Sequence, residues 1–326
     1  MKRKYIILIP IIILISISLI YLPNSYKIKE FTWFIISLST LIIINNFKFK
    51  TILKYSKLYY LISLFLLIGV LIIDKFTNGS RGWINIGPLS FQPSEFMKIS
   101  LILLSIKYLN KIDNWLFILI YLIPIILIFL EPDTGAVIML LIILTVFLFK
   151  KLNKRQLLRL FAIILFISVL FIYIYLKMPN IIIKVLGTSM YYRIDRLTSF
   201  ISNNNLQTTN ALISISTGHT LYFPEMFNDF FIAYILSQNI YMIIPILIST
   251  IWILIWLIKK NTLISQIVFY LFLWQFWWNI AMNLNLVPVI GIPYLFLSYG
   301  GSHLLSSFIL ISLVMIKKDV DNNHNN

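Results

Sequence analysis

Few side chains in this 326-residue sequence could do acid–base or charge-stabilising chemistry, because 60% of the residues are hydrophobic and only 12% are charged. Asp229 is the last acid before an apolar stretch that carries no charge until Lys259. A carboxylate desolvated at the mouth of a cavity has its pKa raised, as a general base requires; the plainer role is that Asn228 or Asp229 caps the following helix. Glu95 and Lys98 stand three residues apart just after Gln92, and Pro93 suits a first helical position. Glu95 then lies in a first turn, where the helix dipole favours an anion. The pair reads either as a helix start with a local ion pair or as charged groups lining a polar cavity. Asp133, in Glu131-Pro-Asp-Thr-Gly135, is placed to cap a helix or to bind a cation with Glu131. Arg193 and Arg196 flank Asp195. Guanidinium groups suit bidentate phosphate binding, and a surface ion pair is the simpler alternative. The stretch Val287 to Ser302 is broken by two Pro and three Gly and includes Ser298, Gly300, Gly301 and Ser302. Glycine there either lets a ligand approach free amides at a helix start or makes a tight turn. His219, His303 and His324 are scattered and cysteine is absent, so no metal site is legible.

These groups need elements to position them, and the mean hydropathy of +0.92 says which kind. A soluble globule of this size could not hide so much apolar surface, whereas a bilayer requires about 20 apolar residues per helix. Apolar runs near 5–22, 31–46, 58–74, 93–109, 114–130, 133–149, 160–176, 230–258, 262–286 and 298–316 predict ten transmembrane helices. Pro245 predicts a kink in the eighth. The first run resembles a signal peptide but lacks a small-residue cleavage site, which predicts an uncleaved helix. The expected architecture is therefore an all-α polytopic membrane protein, a single domain over 1–326, with a long outer loop at about 177–228 before the eighth helix. With both termini in the cytoplasm, inner segments hold 18 cations and 3 acids, and outer segments 8 cations and 7 acids. The net charge of +16 thus reports orientation by the positive-inside rule rather than a nucleic-acid surface.

Four blocks in this order resemble the SEDS family, the RodA, FtsW and SpoVE proteins of bacteria. Gly79 to Lys98 is similar to G-x-R-R-W followed by F-Q-P-S-E-x-x-K, and Glu131 to Gly135 to Q-P-D-x-G. Pro224 to Phe231 is similar to P-E-x-x-x-D-F, and Pro288 to Ser302 to P-V-x-G-I-P-x-P-F-x-S-Y-G-G-S. Gly82 stands where the family has a second Arg, Glu131 where it has Gln, and His303 where it has Ser. The resemblance implies a peptidoglycan glycosyltransferase of the bacterial cytoplasmic membrane that polymerises lipid II, with a class B penicillin-binding protein as partner. It implies that Asp229 is the catalytic base and that Glu95 and Lys98 form a functional pair. Arg193 and Arg196 are candidates for the substrate diphosphate, a task a divalent cation could share, with Gln92, Ser298, Gly300, Gly301 and Ser302 as further substrate-contacting candidates. Arg81 and Asp133 are expected to hold outer loops together. A precursor flippase and a silent scaffold for the penicillin-binding protein are the alternatives in other classes.

Overall fold

Where the bilayer offers no hydrogen-bond partner, a chain this rich in Ile, Leu and Phe satisfies its backbone within helices. The computed structural model describes residues 2–72, 82–87, 89–131, 133–162, 177, 206–221 and 226–316. Most of the seventh expected span and of the long outer loop, with Arg193 and Arg196, lies outside the described residues, as does Arg81.

A 3-10 turn, Lys2–Ile7, leads into α1, Leu8–Tyr21. Pro23 then ends one helix and opens the next: α2, Asn24–Asn45, begins directly after it, and its carbonyl accepts the N–H groups of Tyr26 and Lys27. The short α3, Phe49–Lys54, precedes α4, Ser56–Ile72. Next come α5, Pro93–Tyr108, α6, Asn114–Leu130, and α7, Thr134–Lys151, followed by helical residues at 154–162. After α8, Leu206–Thr217, the chain forms α9, Phe231–Gln238, α10, Ile243–Lys260, α11, Leu263–Asn283, and α12, Gly301–Ile316. Among the described residues, four helices are long and apolar enough to cross a membrane, and four shorter ones are comparably apolar. Large apolar side chains such as Phe65, Ile72 and Trp115 point outward, as hydrocarbon surroundings permit.

Helices α5 and α12 are the most enclosed of the described helices. Helix α5 packs against α4, α6, α7 and α12, and most of its residues from Pro93 to Ser105 are buried. The most extensive helix pair is α2 with α12. At the end of the bundle where α5, α7 and α10 finish, lysines cover carbonyls that a helix terminus leaves open. Lys107 Nζ donates to the Lys54 carbonyl at 2.8 Å, and Lys151 Nζ to those of Leu109 and Ile112 at 2.6 and 2.8 Å. The opposite end carries Glu95, Glu131, Asp133, Asp229 and the irregular segment 284–300.

Three local features stand out, and one of them corrects an expectation. The segment before α5 adds a short hairpin to the helical fold, Ile84–Ile86 and Leu89–Phe91 pairing antiparallel as β1 and β2. Gly87, at φ +60°, makes the tight reversal possible. The eighth span is two helices, and the break is at Asn239 rather than Pro245. Asn239 is extended, with its side chain accepting the Tyr241 N–H at 3.0 Å to start a 3-10 turn, Ile240–Met242. Pro245 falls in the first turn of α10, where an N–H is not needed, and so bends nothing. Finally, Gly301 lies at a close helix contact. A Cβ there would lie 2.0 to 2.2 Å from the Trp33 indole, so glycine is what lets α2 and α12 meet. Gly301→Ala should therefore lower thermal stability by an overpacking loss of about 1 to 3 kcal/mol, measured by melting in detergent. Adding Trp33→Leu should recover part of that loss, and a Gly301→Ala protein as stable as wild type would contradict the packing.

Candidate active site

Asp229 sits in the turn that precedes α9 and is 8% exposed. Its backbone is held from below. Asn279 and Asn283, one turn apart on α11, donate to the Asp229 carbonyl at 2.8 and 3.2 Å. The Asn279 amide also donates to the Ile292 carbonyl at 2.8 Å, so one buried side chain ties the Asp229 turn to the irregular segment 284–300. A small apolar cluster of Ala211, Met226, Phe230, Ala233, Met282 and Val289 packs the same turn between α8 and α11. The carboxylate faces Gly291, at φ +70°, where a Cβ would stand 3.7 Å from Asp229 Oδ2. Gly135, in the first turn of α7, presses on that segment from the other side. Its Cβ would meet the carbonyls of Ile290 and Gly291 at 2.8 and 2.9 Å.

A second constellation lies between α5 and α12. Lys98 Nζ donates to Glu95 Oε1 at 2.8 Å, Ser306 donates to Glu95 Oε2, and the His303 ring lies 3.7 Å from Oε1. All four side chains are buried. An isolated charge would be costly here; the ion pair and the Ser306 hydroxyl make the carboxylate tolerable. Helix α12 reaches across twice more, since Ser302 accepts the Gln92 N–H at 3.0 Å and donates to the Ser90 carbonyl at 3.1 Å. It thus clamps the hairpin to the start of α5.

Asp133 forms the third group. It caps α7 by accepting the Ala136 N–H at 2.9 Å and accepts from Gln92 Nε2 at 2.6 Å. Ser298 accepts the Tyr294 N–H at 2.9 Å. Of the residues expected to contact substrate, Ser298 and Ser302 bond backbone groups, the Gln92 side chain donates to the Asp133 carboxylate, and Gly301 packs on Trp33. Gly300 meets only ordinary contact, a Cβ there lying 3.6 Å from His303 Cβ. Asp229 and the Glu95–Lys98 pair do not touch; segment 284–300 and α12 connect them. Asn279, Asn283 and Ser306 are the additions that reading the sequence missed. The signal was there for the asparagines, two amides spaced i, i+4 at the end of an apolar helix.

A profile of the FtsW, RodA and SpoVE family, described as cell cycle proteins, matches residues 3–322. The chain belongs to this family. It is 30% identical to a probable peptidoglycan glycosyltransferase FtsW of Wigglesworthia glossinidia brevipalpis, over 94% of this chain and 89% of that one. It is also 30% identical to a namesake from Buchnera aphidicola subsp. Schizaphis graminum, over 80% and 81%. Among solved structures it matches a chain from work described as the structural coordination of polymerization and crosslinking by a peptidoglycan synthase complex. There the TM-score is 0.77 at 21% identity, covering 95% of this chain and 96% of that one. It matches the rod shape determining protein RodA of Thermus thermophilus with a TM-score of 0.68 at 20% identity, over 96% and 95%. The chain is accordingly a helical membrane protein with the RodA fold.

One departure from the family pattern has a physical signature. Glu131, where the family has Gln, ends α6 with no solvent exposure, and neither carboxylate oxygen has a hydrogen-bond partner. Burial, reinforced by the charge of Asp133, pushes its pKa up to about 8. The folded state therefore holds this proton more tightly than the unfolded chain does. The associated stability is complete below the unfolded value of 4.5 and is lost as pH rises toward 8. A neutral Glu has nearly the shape of Gln. Glu131→Gln should flatten the fall in melting temperature between about pH 5 and pH 9, and equal slopes for the two proteins would refute the assignment.

Proposed function

We propose that this family member polymerises lipid II into glycan strands at the outer face of the bacterial cytoplasmic membrane, by inverting glycosyl transfer. The observation that carries the reading is the Asp229 turn. Asp229 stands in the block that resembles the family's P-E-x-x-x-D-F, relatives of this chain are named probable peptidoglycan glycosyltransferases, and buried amides fix its backbone. A scaffold has no need of such positioning.

In the reaction, an acceptor sugar hydroxyl attacks the anomeric carbon of the polyprenyl-diphosphate-linked donor. The C–O bond to diphosphate breaks, and the hydroxyl proton goes to Asp229 as general base. Diphosphate leaves as an anion and needs cationic help. Arg193 and Arg196 supply it in this reading, with a divalent cation sharing the charge. Glu95 and Lys98 serve as the buried charged pair behind the substrate site, and Arg81 joins Asp133 in holding the outer loops. The ten-span topology with both termini in the cytoplasm places Asp229 outside, where lipid II presents its sugars. A class B penicillin-binding protein is the partner this reading requires. Its support is the match to a synthase complex in which polymerisation and crosslinking are coordinated.

The test is polymerisation by the purified chain. Wild type supplied with lipid II should yield glycan polymer, and Asp229→Ala or Asp229→Asn should lose about 100-fold or more, as expected for removal of a general base. Full activity of either variant would remove Asp229 from the mechanism. Transport of the lipid without polymer would favour a flippase, and complementation of growth by an expressed Asp229→Ala protein a scaffold.

A further inference from the structure

The amides of α11 hold the Asp229 turn at one end, and the other end of the turn meets a different part of the fold. Phe227, two residues before Asp229, accepts the Tyr299 N–H on its carbonyl at 3.0 Å. Tyr299 belongs to the stretch that leads into α12, and its neighbours are themselves tied down. The Ser298 N–H donates to the Tyr294 carbonyl at 3.2 Å, and the Gly300 carbonyl accepts the Leu304 N–H at 2.8 Å. Against this junction stands Tyr26, in the first turn of α2. Its ring meets the Tyr299 ring edge-on with centroids 5.0 Å apart, and the Phe227 ring with centroids 5.2 Å apart. The Phe227 ring in turn packs edge-on against Phe231 and Tyr234 of α9, at 6.1 and 5.3 Å. Tyr26 is well anchored for such a contact. Its N–H donates to the Pro23 carbonyl at 2.9 Å, and Trp33, two turns further along the same face, packs on Gly301. Aromatic pairs of this kind add a preferred geometry to the apolar area they bury.

From this geometry we infer that Tyr26 is a positioning residue for Asp229. Its ring wedges against both Tyr299 and Phe227, which keeps the Tyr299 N–H on the Phe227 carbonyl and fixes the entry to the turn. Asn279 and Asn283 fix the turn at the Asp229 carbonyl. A turn held at both ends keeps the base within the small tolerance that a reacting geometry allows. The catalytic part of this inference rests on the transferase reading above. The structural part does not.

Two measurements on the purified full-length protein separate them. One is hydrogen exchange of the peptides covering 226–238 and 294–304, the second of which contains the Tyr299 amide; the other is steady-state polymerisation of lipid II. Tyr26→Ala removes the ring and should speed exchange in both peptides while lowering kcat about tenfold with KM within about twofold. Tyr26→Phe keeps the ring and should match wild type in both measurements. If Tyr26→Ala is not recovered folded, Tyr26→Leu, which keeps bulk without an aromatic ring, is read in its place. Wild-type exchange in either peptide for the ring-removing variant overturns the inference. So does faster exchange with unchanged kcat. A Tyr26→Phe protein as impaired as Tyr26→Ala overturns it too, because the effect would then belong to the hydroxyl. If wild type makes no polymer, the transferase reading fails, and exchange alone decides whether Tyr26 holds the turn.

Discussion

The carboxamide of Asn279 is the interaction on which the end of this molecule that carries Asp229 depends. One buried nitrogen donates to two carbonyls, Asp229 and Ile292, from segments that no helix or sheet ladder satisfies. At a membrane protein's end, irregular backbone persists only where protein groups replace the missing partners. Inside a low-dielectric bundle each such bond is strong, and loss of the Asn279 amide would take this donor from the Ile292 carbonyl and leave the Asp229 carbonyl to Asn283 alone. Asn283, one turn further on, adds a second donor to the Asp229 carbonyl and bonds back to Asn279. The segment from 284 to 300 is then pinned elsewhere. Trp278 donates to the Pro288 carbonyl, Tyr294 shares a hydroxyl hydrogen bond with Thr250 at 2.9 Å, and Phe296, at φ +55°, is packed between Phe272 and Phe308.

That segment joins two chemically different places. On one side it faces Asp229 across Gly291; on the other it runs into α12, which carries Ser302, His303 and Ser306 over the start of α5. Because α5 is enclosed by other helices, Glu95 and Lys98 face protein rather than lipid, and their pairing is compatible with membrane depth. The base candidate and the buried ion pair are thereby parts of one frame with no side-chain contact between them. Small side chains make the frame close. Gly135 and Gly301 stand where any Cβ would collide with backbone or with an indole.

Much of the helical order was legible because bilayer helices announce themselves by long apolar runs, and eight apolar helices answer to runs read from composition. What escaped had local causes. The hairpin before α5 has strands of three residues each, too short for a period of two to register. The break at Asn239 hid inside a continuous apolar run, since a polar residue with an extended backbone is no stronger a signal than Pro245 in a first turn. The role of Gly301 was invisible because its cause, Trp33, lies far off in the chain.

By itself the sequence determined that this is a helical membrane chain with its cations gathered at one end, and which rare acids and bases exist to be used. Those properties are local, set by runs of side chains that each meet lipid or water on their own terms. Only the tertiary structure decided how the rare groups are employed. It gave Ser298 and Ser302 backbone partners and aimed the Gln92 side chain at the Asp133 carboxylate. It brought Asn279 under Asp229, and Ser306 and His303 to Glu95, across separations of 50 and about 210 residues. The physical reason is that a buried polar group must find its partner in space, and the nearest one in space need not be near in the chain.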